Sequence, residues 1–208
     1  MTTGQVWAGR MLAFGGALAM LVNGVLTPML PTELPFGEMA ASSIFLLRLS
    51  LAAVVALSLT VGALGLRARH HHQSGWFGAV SFALAFIGSL MLFAHEWSQI
   101  FFIHHLALVA PDALDAMENV EGVNLFDLEA IVTLLAFTLG WLLFSISMLI
   151  ANTFGRIGPT LVIGGMFAIP LLSAMISPVA GMALGNAILS SGWIVLGLEL
   201  SRKTGGQL

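Results

Sequence analysis

The sequence lacks or nearly lacks several residue types, and each scarcity excludes a class of site. None of its 208 residues is cysteine, which excludes disulfides, thiolate metal sites, iron–sulfur clusters and cysteine nucleophiles. Lysine and arginine together number seven, too few for a nucleic-acid interface. The one lysine, Lys203, lies outside every long apolar run, so no lysine within such a run can form a Schiff base.

Charge of either sign is scarce as well. Only 8% of the residues are charged and 58% are hydrophobic, whereas soluble domains carry roughly 25% charged residues. A soluble fold of this length could not bury so much apolar surface, so the bilayer must solvate most of the chain. A spanning helix needs about 20 apolar residues. The sequence therefore predicts an all-α bundle of six transmembrane helices, a single domain over residues 1–208, with spans at residues 8–27, 41–66, 75–94, 129–150, 159–176 and 180–200.

The charged residues divide between the two sets of junctions that connect these spans. Basic residues occupy alternate junctions, and the positive-inside rule makes that side cytoplasmic, together with both termini. The intervening junctions are acidic, so we expect a multi-pass protein of the cell inner membrane with acidic loops outside. The basic residues are Arg10, Arg67, Arg69, Arg156, Arg202 and Lys203; the acidic ones are Glu33, Glu38, Glu96, Asp112, Asp115, Glu118, Glu121, Asp127 and Glu129.

Proline, glycine and asparagine give local signals within this scheme. Pro159 fits the first turn of the fifth helix, where its missing N–H costs nothing, and Pro170 should kink the same helix. Asn124 can cap the fourth helix. The pairs Gly15-Gly16 and Gly164-Gly165 should permit close contact between helices.

The segment after the third predicted span is too apolar for an ordinary loop. A straight helix from Gly75 to Ala110 would measure roughly 54 Å and exceed the bilayer. The third helix therefore either projects outward or breaks near His95 and continues along the interface. Beyond it, an acidic stretch from Pro111 to Gly122 is predicted to form a short helix with a solvated face.

Polar residues within the membrane are costly, which makes each of them a functional candidate. Under the predicted topology they gather in the outer half or at the outer edge, and no comparable set lies in the inner half. This clustering predicts a polar cavity open to the outside, and not a through-going ion path. Arg48 can snorkel outward, pair with Glu96 or Glu129, or bind an anionic group of a ligand. The candidate ligand-binding residues are Asn23, Arg48, His95, Glu96, Glu129 and Asn186.

A metal or haem site is an alternative use of the same region. Its candidate ligands are His95, Glu96, His104 and His105, since imidazole and carboxylate suit transition metals. On one straight helix, positions 95 and 105 lie roughly 15 Å apart, so they cannot share a metal unless the chain folds back. The spacing also misses the His-Glu-x-x-His pattern of zinc proteases. The leading expectation is no cofactor, with a transition metal or haem as the minority interpretation.

Two polar groups near the basic junctions have simpler interpretations. His70, His71 and His72 follow two arginines and are expected to form a solvated cytoplasmic turn near anionic headgroups. Glu199 and Arg202 are expected to pair at a helix end.

The second half of the chain resembles small bacterial multi-pass membrane proteins of domain-of-unknown-function family 4386. The resemblance rests on Leu139-Gly140-Trp141-Leu142-Leu143-Phe144, on the basic turn Gly155-Arg156-Ile157-Gly158-Pro159, and on Gly192-Trp193-Ile194-Val195-Leu196. It covers roughly residues 125–203. The resemblance implies a six-helix bundle and no known activity, so it assigns no catalytic residue.

Three hypotheses about function remain after the sequence has been considered. The leading one is a non-catalytic membrane protein that binds a lipid or another amphiphile in the outward-facing cavity, with Arg48 at the head group. The second is a metal- or haem-binding membrane enzyme or electron-transfer subunit. The third is a structural accessory subunit, which would bind a larger membrane complex or further copies of itself.

Overall fold

The computed structural model describes residues 2–118 and 125–202, and it is built from helices. Of the described residues 89% are helical, and none of them lies in a strand. Predictions that fall on Glu121, Gly122, Asn124 and Lys203 lie outside the described residues. The α-helices are α1 (Thr3–Leu21), α2 (Phe36–Ala41), α3 (Ser43–His70), α4 (Gly75–Ser98), α5 (His104–Val109), α6 (Pro111–Glu118), α7 (Leu125–Ala151), α8 (Ile157–Met175) and α9 (Pro178–Ser201).

Six helical stretches are long and apolar enough to cross a membrane, which confirms the predicted fold class. Four of them are α3, α7, α8 and α9. The other two join several elements without a break. The first is Thr3–Met29, in which α1 continues through a π-helical turn, Val22–Leu26, and a short 3-10 turn. The other is Gly75–Val109, in which α4 continues through a second π-helical turn, Gln99–Ile103, into α5.

The third span decides between the two arrangements predicted for it. The helix does not break near His95 but runs on to Val109. Its 35 residues correspond to about 52 Å, longer than the apolar core of a bilayer. The span therefore projects beyond that core, and its end, α5, packs against α2.

The spans form a ring in chain order. The helix α1 packs between α3 and α9, α4 packs between α3 and α7, and α8 packs between α7 and α9. Successive spans run in opposite directions, so the start of α1, the end of α9 and the turns after α3 and α7 lie at one end of the bundle. We call it the basic end, because it carries Arg10, Arg67, Arg69, Arg156 and Arg202. The opposite one is the acidic end.

Aromatic side chains from α4, α7 and α9 meet in the core. Trp141 of α7 is fully buried, and its ring lies 5.6 Å from that of Trp193 and 6.2 Å from that of Phe144. Phe144 in turn meets Phe82 of α4 at 5.8 Å. The indole N–H of Trp141 donates to the Ser89 hydroxyl at 3.0 Å, which satisfies it in the apolar interior.

Glycines bring helix backbones together at the ring contacts. A Cβ at Gly140 would lie 2.4 Å from the backbone nitrogen of Ala85, and one at Gly165 would lie 2.4 Å from that of Leu189. In the predicted pair Gly164-Gly165, only Gly165 permits close contact between helices. A Cβ at Gly164 would have nothing within 4 Å. Both members of Gly15-Gly16 make close contacts, with α3 and α9 respectively.

The two prolines of α8 lie in different parts of the helix. Pro159 lies in the first turn of α8, as predicted. Pro170 lies inside α8, and the helix continues through it from Ile157 to Met175.

A small cap covers the acidic end and forms an apolar cluster of its own. It joins α2, α5, α6 and the start of α3 through buried residues that include Phe45, Leu49 and Leu114. The Asp115 carboxylate accepts the backbone N–H of Gly37 at 2.7 Å, so α6 caps the first turn of α2. The sequence analysis did not predict α2, whose capping residue lies 78 positions away in the chain.

Adjacent glycines of α8 provide a matched test of the close packing. Replacement Gly165→Ala should destabilise the bundle by about 1–3 kcal/mol, because the new methyl group meets the backbone of α9. Replacement Gly164→Ala should be neutral or slightly stabilising, because it adds helix propensity and touches nothing. Thermal unfolding of both variants in one detergent measures the difference, and equal midpoints would contradict the packing described here.

Candidate functional site

A partly buried ion pair lies beneath the cap, between α3 and α4. The Nη1 atom of Arg48 lies 2.9 Å from Oε2 of Glu96, and the side chains are 22% and 7% exposed. Arg48 stands in the second turn of α3, just below the Ser42 hydroxyl that caps this helix through the Phe45 N–H. The structure thus pairs Arg48 with Glu96 and not with Glu129, and it leaves the hypothesis of anion binding at Arg48 open.

A second polar chain joins α4 to α7 beside this ion pair. The amide nitrogen of Gln99 donates to Nε2 of His95 at 2.7 Å, so Nε2 carries no proton in this arrangement. The imidazole proton is then on Nδ1, which donates to Oε2 of Glu129 at 2.6 Å. Thr133 donates to the other oxygen of Glu129 at 2.9 Å. The ring of His95 also lies 5.7 Å from that of Phe126.

The two arrangements share α4. Neighbouring residues on a helix are rotated by about 100°, which lets Glu96 reach α3 while His95 reaches α7. Because α3 and α7 are the two neighbours of α4 in the ring, Glu96 and His95 each point toward a neighbouring helix. The acidic end therefore presents a guanidinium and a carboxylate, Arg48 and Glu129, on either side of one helix.

Two of the predicted site residues have no contact with this network. Asn23 lies half-buried in the π-helical turn of the first span. The side chain of Asn186 donates to the carbonyl of Met182 in its own helix at 2.9 Å. Within the described parts of the chain, neither asparagine forms a hydrogen bond with Arg48, His95, or Glu96.

The histidines proposed as metal ligands serve separate roles. His95 belongs to the chain with Glu129, whereas Nδ1 of His104 lies 2.7 Å from the carbonyl oxygen of Ala40 in the cap. His105 is exposed. No group of three His, Cys, Asp or Glu side chains that could hold a metal ion occurs in residues 2–118 and 125–202.

Gln99 and Thr133 belong to the site and were not predicted from the sequence. Each stands four residues after a predicted site residue, Gln99 after His95 and Thr133 after Glu129. Residues four apart on a helix face one another. That spacing was the available signal for both.

His70 corrects the expectation of a solvated histidine turn. His71 and His72 are exposed, but His70 is fully buried against Phe144, with ring centroids 5.7 Å apart. Its Nδ1 lies 2.7 Å from the hydroxyl of Thr153, and its Nε2 lies 2.9 Å from that of Ser147. These contacts join α3, α7 and the turn after α7. A buried polar network therefore also exists at the basic end, where none was predicted.

The predicted pairing of Glu199 with Arg202 is also corrected. The Glu199 carboxylate accepts the backbone N–H of Gly155 at 2.7 Å instead. Its backbone carbonyl accepts a hydrogen bond from Arg69 at 3.3 Å. Glu199 therefore joins α9 to α3 and to the turn before α8, at the same end as His70.

Comparison with known proteins adds no relative. No family model, curated protein or solved structure matches the chain. The resemblance to domain-of-unknown-function family 4386 stays a prediction, and the assignment of function rests on the geometry above.

The two neighbouring histidines at the end of α3 allow a controlled test of the buried network. Replacement His70→Ala should cost about 1–3 kcal/mol, because it leaves the hydroxyl of Thr153 without its partner and opens space beside Phe144. Replacement of the exposed His71 by Ala should change stability by less than about 0.5 kcal/mol. The free energies of unfolding of the two variants measure this difference, and similar values would contradict the burial of His70.

The ion pair beneath the cap should behave as a coupled unit. Replacement Glu96→Ala should cost about 3 kcal/mol, because Arg48 then remains below the cap without a counter-charge. The double replacement Arg48→Met with Glu96→Leu should recover most of that loss, since similar apolar groups fill the same volume. A double-mutant cycle of unfolding free energies measures the coupling. Additive single effects would show that the pair is not formed.

Proposed function

We propose that this membrane protein binds the head group of a lipid or another amphiphile at its acidic end, through Arg48. Glu96 orients the guanidinium from one side, and His95 with Glu129 forms the neighbouring polar wall. This proposal keeps the predicted function with a revised set of residues. Gln99 and Thr133 replace Asn23 and Asn186, which contact none of the side chains in the ion pair or the polar chain.

The observation that carries the proposal is that a buried N–H donor of Arg48 has no hydrogen-bond partner among the described residues. A guanidinium offers five N–H donors in a planar fork. Glu96 takes one hydrogen bond from Nη1, while the buried Nε has no partner among the described residues. A buried donor without a partner is costly, and a group with two acceptor oxygens, such as a phosphate or carboxylate, fits the fork.

Access to Arg48 suits a ligand that comes from the bilayer. The Arg48 side chain is 22% exposed, and its neighbour Leu47 is 48% exposed. Trp97 and Phe101 are also exposed, on the third span. Trp and other aromatic side chains favour the level of the head groups, so an acyl chain can lie along the apolar surface while its head group reaches the guanidinium.

The proposal includes an orientation in the membrane. We place the basic end in the cytoplasm and the acidic end outside the cell inner membrane. The distribution of arginine supports this, because five of the six arginines lie at the basic end and Arg48 is the exception. Under this orientation the head-group site belongs to the outer leaflet.

Replacement Arg48→Lys separates ligand binding from folding. Lysine keeps the charge opposite Glu96 but loses the planar fork, so stability should hold while the amount of co-purifying lipid falls about tenfold, the effect of losing roughly 1.4 kcal/mol. Native mass spectrometry after purification in a delipidating detergent counts the retained lipid. Arg10→Lys, an exposed position at the basic end, is the control. Equal retention in wild type and both variants would remove Arg48 from the proposed role.

A further inference from the structure

The charges around Arg48 restrict the kind of head group that the site can take. We infer that the head group is zwitterionic, with its phosphate at Arg48 and its ammonium at Glu129. This inference rests on the proposed function and adds the chemical class of the ligand.

The first step concerns the charge of the Arg48 guanidinium. Glu96 lies 2.9 Å from it and is only 7% exposed, so the two charges compensate each other. The pair therefore offers hydrogen-bond donors to an anionic group without offering a net positive charge. A ligand with a net negative charge gains donors at Arg48 and no long-range attraction.

The second step concerns Glu129, which forms no ion pair with a Lys or Arg among the described residues. Its two oxygens accept hydrogen bonds from His95 and Thr133. With Gln99 donating to the other ring nitrogen of His95, the contact with Glu129 is a hydrogen bond from Nδ1. The Glu129 side chain is 43% exposed, so its carboxylate remains accessible to a cation.

The third step concerns the field of the whole acidic end. Arg48 is the one Lys or Arg that the sequence places there, against nine carboxylates. Such a surface repels anions and concentrates cations. Phosphatidylglycerol and other head groups with a net negative charge are therefore disfavoured, whereas an ammonium group linked to the phosphate adds an attraction to Glu129.

The fourth step concerns the geometry that holds the two groups together. Glu96 and His95 are neighbours on α4 and reach α3 and α7 respectively, so Arg48 and Glu129 flank the same turn of that helix. A phosphoethanolamine or phosphocholine group carries its two charges a short linker apart. It can thus contact both residues across the ring-facing side of α4.

Lipids that share acyl chains and differ only in head group test the inference. Wild-type protein is loaded with equal amounts of phosphatidylethanolamine and phosphatidylglycerol, and native mass spectrometry counts what each retains. We expect phosphatidylethanolamine to be retained about tenfold more, the effect of one charge-assisted contact. In Glu129→Gln that preference should disappear, because retention of phosphatidylethanolamine falls about tenfold to the level of phosphatidylglycerol, which the phosphate contact at Arg48 maintains.

Glu38→Gln is the matched control, because Glu38 is an exposed carboxylate at the same end and should leave the preference intact. Retention of phosphatidylglycerol over phosphatidylethanolamine would overturn the zwitterionic inference and leave the proposed function standing. A preference for phosphatidylethanolamine that survives in Glu129→Gln would also overturn it, since the ammonium would then bind elsewhere. Failure of wild type to retain either lipid would overturn the proposed function itself.

Discussion

Lipid tails are as apolar as the side chains that face them, so burial of apolar surface does little to hold these helices together. Association must come from close packing and from polar contacts within the protein. The ring depends on the first of these, because glycine lets α4 approach α7 and α8 approach α9 at backbone distance. At the contact of α4 with α7, Gly88 faces the backbone of Phe137 and Gly140 faces that of Ala85. Larger residues at these positions would push apart the helices that carry the polar side chains.

The two polar ends of the bundle differ in how completely their hydrogen-bonding groups are used. At the basic end His70 uses both ring nitrogens, and Glu199 uses its carboxylate and its carbonyl to join three segments. That network is closed, and it fastens the turn after α7, where Asn152 has a positive φ of 48°. At the acidic end Arg48 retains a buried donor without a partner. A buried donor without a partner is costly, which is why the head-group site is proposed at the acidic end.

Composition and hydrophobic runs were sufficient to predict the six spans, because length and apolarity are properties of each segment alone. They underestimated the first and third spans, in which π-helical turns continue the helix past Asn23 and His95. Each π-helical turn inserts one residue and rotates the following helix face by about 100°. In the third span this rotation follows Gln99 and directs His104 toward α2 and the carbonyl of Ala40. Periodicity in the sequence does not reveal such a shift.

The sequence was sufficient to predict how far along the spans the site residues lie, but not which residues they contact. Arg48, His95, Glu96 and Glu129 were placed at one level, and the structure brings them together. Asn23 and Asn186 were placed at that level too, but depth does not fix which face of a helix a residue occupies. His70 was missed for the opposite reason, since its neighbours His71 and His72 are exposed and the triplet was treated as one feature. Residue-by-residue orientation depends on tertiary contacts that no local pattern encodes.

The pairing of Arg48 with Glu96 bears on how a ligand could be released as well as bound. An arginine held below the cap without a counter-charge would bind an anion tightly and pay a large desolvation cost when the anion left. Glu96 keeps that cost low in the empty state, since the charge stays compensated. It also fixes the plane of the guanidinium, so that the remaining donors are oriented before the ligand arrives. If Arg48 binds a head group as proposed, this arrangement favours moderate affinity and exchange with the bilayer over permanent retention of one lipid.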